Sequence, residues 1–274
     1  MVIAHVSQSR TTSQASRIQD SRVKLRVQLD TIEEILPANA STTHEDQFRE
    51  VARITEFLLQ HTTRDILDGV LPGLLGSYSH GTSTSMLQAV LTLFFTDVDP
   101  RTGKKLDFSH GELLSPLIRC LVSALPPTDP MVGLWDNGDH RNDNTAACNP
   151  ANTMTQVLDS QPNGKRELSP EQIVQDARAC YDERVFTEFM KYNPFSMTTR
   201  PFRTSTGFIG CASSITKSGD GVCVFGSCSM PVILRMVQDK YEFVSVAHVV
   251  GALYGEVWKD LKGEKIEIQE FCLR

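Results

Sequence analysis

Three charges hold positions from which they could do chemistry. Asp220 follows Gly219 in a Lys217–Asp220 turn cluster, Arg235 closes the run Pro231–Arg235, and Glu256 ends the step Gly251–Glu256. A carboxylate just after a glycine in a turn accepts backbone N–H bonds, which gives Asp220 a structural use. Arg235 and Glu256 are expected to pair inside, or at the rim of, a small barrel. The functional version makes Arg235 an anion clamp in the barrel mouth, a common place for a ligand. Tyr241 and His248, from the strand after it, would then converge on the same deep apolar pocket. The structural use is preferred.

The nucleophile patterns are incomplete. Ser77-Tyr78-Ser79-His80-Gly81 lacks the glycine that a hydrolase elbow needs two residues before its nucleophile. Its residues read as a polar loop that caps a helix. In Gly226-Ser227-Cys228-Ser229-Met230 a methionine stands where the second glycine belongs. Cys228 lies in an expected turn and is the reactive-thiol candidate, provided electropositive neighbours lower its pKa. Cys223 reads as a small core residue. Cys211, Cys223, Cys228 and His248 could be drawn as a metal set, but they contain no Cys-x-x-Cys pair and fit no zinc module. Asp136-Asn137-Gly138-Asp139-His140 fails the ligand spacing of a calcium loop. No metal and no cofactor is expected.

Composition narrows the classes. The chain has 274 residues, 40% hydrophobic and 22% charged, enough to build a core. A net charge of −6 and a pI near 5.7 argue against nucleic acid as a partner. The apolar run Met86–Phe95 is interrupted by Gln88 and Thr92 and is too short to span a bilayer. Seven cysteines at irregular spacing, with no secretory signal ahead of them, imply free thiols and a cytoplasmic setting. In that setting the sequon Asn39-Ala40-Ser41 is a chance match. Residues 1–22, rich in Ser, Thr, Gln and Arg, read as a flexible N-terminus.

The elements that must position these residues follow from apolar spacing. Val23, Leu25, Val27 and Leu29 alternate with polar residues and predict a strand with no local partner. Asp30–Leu36 reads as a short helix-like turn, with Ile32, Ile35 and Leu36 apolar. Helices are predicted from the Ser41–Thr43 capping cluster to about His61, over Ser83–Phe95 and over Gly111–Ala124. A further helix, started by Ser169-Pro170-Glu171-Gln172, continues to about Tyr192. Pro126–Leu168 reads as a long flexible loop. From Arg200 the period becomes two, with short turns, and the strands read as an antiparallel barrel or sandwich. Lys265–Phe271 could add a last strand.

The run Arg200–Glu256 resembles the C-terminal region of fungal heterokaryon-incompatibility (HET) proteins. The resemblance rests on Arg200, Phe202, Thr204, Gly207, Ile209 and Gly210, then on the Gly219-Asp220 turn and on Gly226. It continues through Pro231-Val232-Ile233-Leu234-Arg235, Tyr241 and the glycines of Gly251–Glu256. Val23–Ile32 looks like the family's earlier strand and Asp-x-Ile turn, with Gln28 where a glycine is common. The Trp-Gly, Trp-Ile-Asp and Asn-Gln motifs of the N-terminal HET domain are missing, so the death-triggering activity of that domain does not carry over. The resemblance implies no catalytic residue. It does imply that Val23–Leu29 pairs with strands beyond residue 200, with the helices as a long insertion in one interleaved domain, residues 23–274.

The expected fold is α+β: a small antiparallel β-barrel or sandwich, mainly residues 200–274 plus strand 23–29, with a helical layer from 43–125 and 169–192. The expected function is a HET-like accessory or interaction module, regulatory and non-enzymatic, that takes a protein partner or a small apolar ligand. The alternative is an isomerase- or cyclase-type enzyme acting on an apolar metabolite in a barrel or barrel–helix cleft. A third reading is a gene fragment with no independent role.

Overall fold

A strand buried on one face needs apolar residues two apart, and the residues after 199 supply them repeatedly. The computed structural model describes residues 22–23, 27–37, 44–59, 78, 85–98, 103–106, 114–136, 170–192, 199–225, 228–253 and 271–272. Among them β1 is Arg22–Val23, β2 Val27–Ile35, β3 Thr199–Thr204 and β4 Ile209–Ser213. Next come β5 Gly221–Val224, β6 Val232–Val237, β7 Lys240–Val249 and β8 Phe271–Cys272. Strands β2-β3-β4-β7-β6-β5 close into a barrel in that order, every neighbour antiparallel. The fold is thus α+β, as the sequence implies.

The barrel is closed by β2. Its first half pairs with β5, from Val27↔Val224 to Thr31↔Gly221, and its second half with β3, from Ile32↔Thr204 to Ile35↔Phe202. The early strand does pair beyond residue 200, but it runs later than expected. Arg22–Val23 pairs separately with β8, and Asp30–Ile35 is strand, not a helix-like turn. A register shift between Ile32 and Glu34 explains the misreading. A bulge adds a residue to one strand, so Ile32 and Ile35 both pack with the barrel interior although they are three apart.

Side chains fill the barrel. Ile32, Phe202, Val222, Ile233, Ala247 and Val249 form its core, each at 1% exposure or less. Gly210 is required by this filling. A Cβ there would lie 2.5 Å from Phe202 Cζ and 2.8 Å from the His248 carbonyl oxygen. The β6–β7 hairpin turns on Gln238 and Asp239, both at positive φ (51° and 56°), between the paired Val237 and Lys240. That is the conformation of a two-residue primed turn, whose twist matches the flanking strands.

The helices pack on one outer side of the barrel. In the described residues they are α1 His44–Leu58, α2 Met86–Phe95, α3 Ser115–Ser123, α4 Pro130–Asp136, α5 Pro170–Ala179 and α6 Glu183–Tyr192. Ser85 and Gln88 form a reciprocal capping box that starts α2. This helix is buried almost all round, and its Phe94 and Phe95 rings lie 5.5 and 5.2 Å from Phe189 of α6. Burying each such aromatic contributes about 1.5–3 kcal/mol. Arg119 of α3 lies over the rings of Tyr181 and Phe186, 4.3 Å from the latter's centroid, and donates to Glu183. The large core runs on from the helices to Ile209, Cys211 and Val250 of the barrel.

Two helical expectations change. The predicted helix ending at Tyr192 is two helices, because the chain breaks at Cys180–Asp182 and Asp182 Oδ1 accepts from Arg184 N to start the second. Part of the expected loop after Pro126 is helical: α4 packs its half-buried Met131, Leu134 and Trp135 on the core. The Ser41–Thr43 capping cluster, the Ser169 cap, residues 137–168 and residues 265–270 lie outside the described residues.

Candidate functional site

Asp220 and Arg235 meet at one end of the barrel. The last β5–β6 pair is Gly221↔Leu234, so Arg235 lies one residue past it, on the same side of β6 as the interior Ile233. Asp220 immediately precedes β5. Arg235 Nε donates to Asp220 Oδ1 and Nη2 to Oδ2, both at 2.8 Å. Nη2 also donates to the Ile215 carbonyl, and Asp220 Oδ2 accepts from Lys217 N at 2.8 Å. The bond to Asp220, net of some burial, holds the guanidinium pKa above its ordinary value. The Asp220 side chain is 3% exposed and that of Arg235 30%. Asp220 therefore takes the turn-fixing use expected for it. The partner of Arg235 in the described residues is Asp220; Glu256, its expected partner, lies outside them. An anion would have to displace a two-point carboxylate from Arg235, so the geometry is that of a rim staple.

A second carboxylate does comparable work a few residues away. Asp30 accepts from Thr31 N, Ser205 Oγ, Thr206 N and Thr206 Oγ1, at 2.6–2.9 Å. Burial alone would raise its pKa, but the bonds from Ser205, Thr204 and Thr206 together outweigh burial and hold it below the ordinary carboxylate value. Backbone bonds complete the junction: Ile32 N to Asp220 O, Gly219 N to Ile32 O, and Ser205 N to Thr31 O. Two loops, 205–207 and 217–220, are thus pinned to residues 30–32 of β2. Sequence reading missed this role because it placed Asp30 in a helix-like turn. The available signal was the polar Ser205-Thr206 pair, which needs an acceptor.

The other named residues do not join Arg235. Tyr241 pairs with Met236 and packs on the outward cluster of Cys223, Val232 and Leu234. His248 pairs with Cys211 on β4, on the side that faces the helices. Its Nε2 is buried and has no hydrogen-bond partner. Burial pushes the imidazole pKa down, while the charge of Asp97 raises it in part. Tyr78 crosses the same seam: its hydroxyl accepts from Ile209 N and donates to Val250 O, both at 3.1 Å. Neither Tyr78 nor Asp97 had been assigned to this position from sequence.

The thiols divide by burial. Cys211 and Cys223 are pushed up to about 12 by burial, and Cys120 higher, which leaves them as core residues at neutral pH. Cys228 is exposed and free. Among the described residues no three His, Cys, Asp or Glu side chains form a group able to hold a metal. The described part likewise contains no helix long and apolar enough to cross a membrane. Comparison with protein-family models, curated proteins and solved structures found no match.

Proposed function

We propose that this chain is a non-enzymatic accessory or interaction module, regulatory in role and related to the C-terminal region of fungal HET proteins, acting in the cytoplasm on a protein partner. One observation carries the reading. The outward side of β6–β7 carries three successive apolar cross-strand pairs, Val232 with Val246, Leu234 with Phe243 and Met236 with Tyr241, in which Val232 and Leu234 are buried beneath their neighbours. Met236, Phe243 and Val246 are 68%, 59% and 55% exposed. Single exposed apolar residues are ordinary, whereas several grouped on one face of two paired strands are the kind of surface that binds a protein. The patch lies on the barrel strands and not on the helices. The filled barrel interior supports the same reading, since it leaves the apolar metabolite of the enzymatic alternative no room at the centre.

The test is native mass spectrometry of the protein purified from its own host, beside a Phe243→Lys form purified in the same way. A stoichiometric protein partner retained by the native chain and lost from the variant supports the module. A retained small molecule, held equally by both forms, overturns it.

A further inference from the structure

The seam between barrel and helices holds a half-buried imidazole whose buried Nε2 has no hydrogen-bond partner. On the outward side of β4 and β7, Ile209 and Cys211 stand beside Val250 and His248. Ile209, Cys211 and Val250 belong to the large core that the helices build. His248 Nε2 is buried there without a partner. An unpaired nitrogen is tolerable on a neutral imidazole as a bare acceptor. As an N–H of an imidazolium it would carry a positive charge into an apolar seam, which is far more costly.

The described groups around it do little to relieve that cost. Cys211, its cross-strand neighbour, is 4% exposed, and its burial keeps the thiol protonated. Tyr78 spends its hydroxyl on Ile209 N and Val250 O. Asp97 is the negative charge that acts on the ring, and it is 4% exposed. Its position is fixed by the backbone: Thr96 and Asp97 both have positive φ (51° and 60°), Asp97 N donates to Thr92 O, and Asp97 O accepts from Leu106 N. Two successive non-glycine residues in this region persist only when the surroundings hold them there.

We propose that His248 is an acid-operated release between the barrel and the helical layer: neutral, it lets its neighbour strand β4 pack on α2, and protonated, it opens that contact. The device is local, because the barrel interior and the staples at Asp30 and Asp220 lie on other surfaces of the strands. The sign agrees with the direction in which the site shifts the ring. A histidine whose folded pKa lies below its ordinary 6.5 contributes stability in full above 6.5 and loses it as pH falls below that value.

The experiment compares the native chain, His248→Gln and Asp97→Asn by thermal unfolding and by hydrogen exchange, corrected for the intrinsic rate, between about pH 7.5 and about pH 5. The native chain should lose more in Tm over this range than His248→Gln, which has no imidazole to protonate. Asp97→Asn should lose more than the native chain, because the ring then has no compensating charge. Exchange at acid pH should rise in residues 86–95, 210–212 and 247–249 while the β5–β6 pair stays protected. Equal pH dependence in the native chain and His248→Gln overturns the proposal, as does acid exchange that rises uniformly over the barrel. If His248→Gln does not fold, NMR titration of the native ring decides: titration at or above 6.5 overturns the proposal, and titration clearly below it sustains it.

Discussion

Asp220 and Arg235 form a two-point pair, Nε to Oδ1 and Nη2 to Oδ2, with both bonds at 2.8 Å. The guanidinium fork matches the carboxylate, and a lysine has no equivalent geometry. Asp220 also holds Lys217 N, and its backbone oxygen holds Ile32 N. Removing the carboxylate therefore frees a turn as well as an arginine. Asp220→Ala should cost about 2–4 kcal/mol, and Arg235→Lys should recover less than half of what Arg235→Ala loses. Urea unfolding measures both. A neutral Asp220→Ala would show that the pair is only decorative.

Asp30 gives a separate dependence on acid. Its folded pKa lies below the ordinary 3.8, so its contribution is complete above 3.8 and fades as pH falls below that value. Asp30→Asn, which cannot titrate, should be less stable than the native chain at neutral pH by about 1–3 kcal/mol. The gap should shrink as pH is lowered past 3.8. Denaturant midpoints taken across that range check the convergence; parallel curves would rule it out.

Gly210 is set by close approach and not by an unusual φ. Its missing Cβ leaves room for Phe202 Cζ and for a backbone oxygen of His248. Gly210→Ala should destabilise the barrel by about 1–3 kcal/mol through overpacking. Phe202→Leu added to it should return only part of the loss, because the carbonyl at 2.8 Å cannot be trimmed. A double-mutant cycle by calorimetry reads the coupling.

The outward β6–β7 face should separate stability from binding. Phe243 is 59% exposed, so Phe243→Lys should change stability by no more than about 0.5 kcal/mol. The proposed partner contact should weaken at least tenfold, about 1.4 kcal/mol or more, if Phe243 stands near the centre of the contact. Chemical unfolding and titration of the partner test the two halves independently.

Much of the barrel was legible because period two is a strong signal where strands are regular. Val222 and Val224 face the interior and Cys223 the outside, as the alternation requires. The same rule failed at Asp30–Ile35, where one extra residue in the ladder brings apolar side chains three apart and imitates a helix. The break at Cys180–Asp182 was hidden for a related reason: apolar residues continue across it, and only Asp182 as a cap marks the second start. The site was less legible than the fold. Asp220 could be placed in its turn, but Arg235 needed β5 and β6 in register before its partner was evident. His248 and Cys211 are 37 residues apart in number (248 − 211), and only the β4–β7 pairing makes them neighbours.

The two-sided pairing of β2 has a consequence for how the chain is made. This strand is synthesised long before either neighbour, β3 or β5, and the whole helical layer emerges from the ribosome in between. Until then its ladder groups stay open to water or to wrong partners. Closing so distant a contact is slow, because chain entropy is lost before the pairing rewards it. The C-terminal hairpins can assemble from near neighbours, whereas β2 is the barrel strand made first and seated last. A circular permutant that carries residues 27–37 behind the C-terminal strands should refold faster than the native order, with the same final barrel.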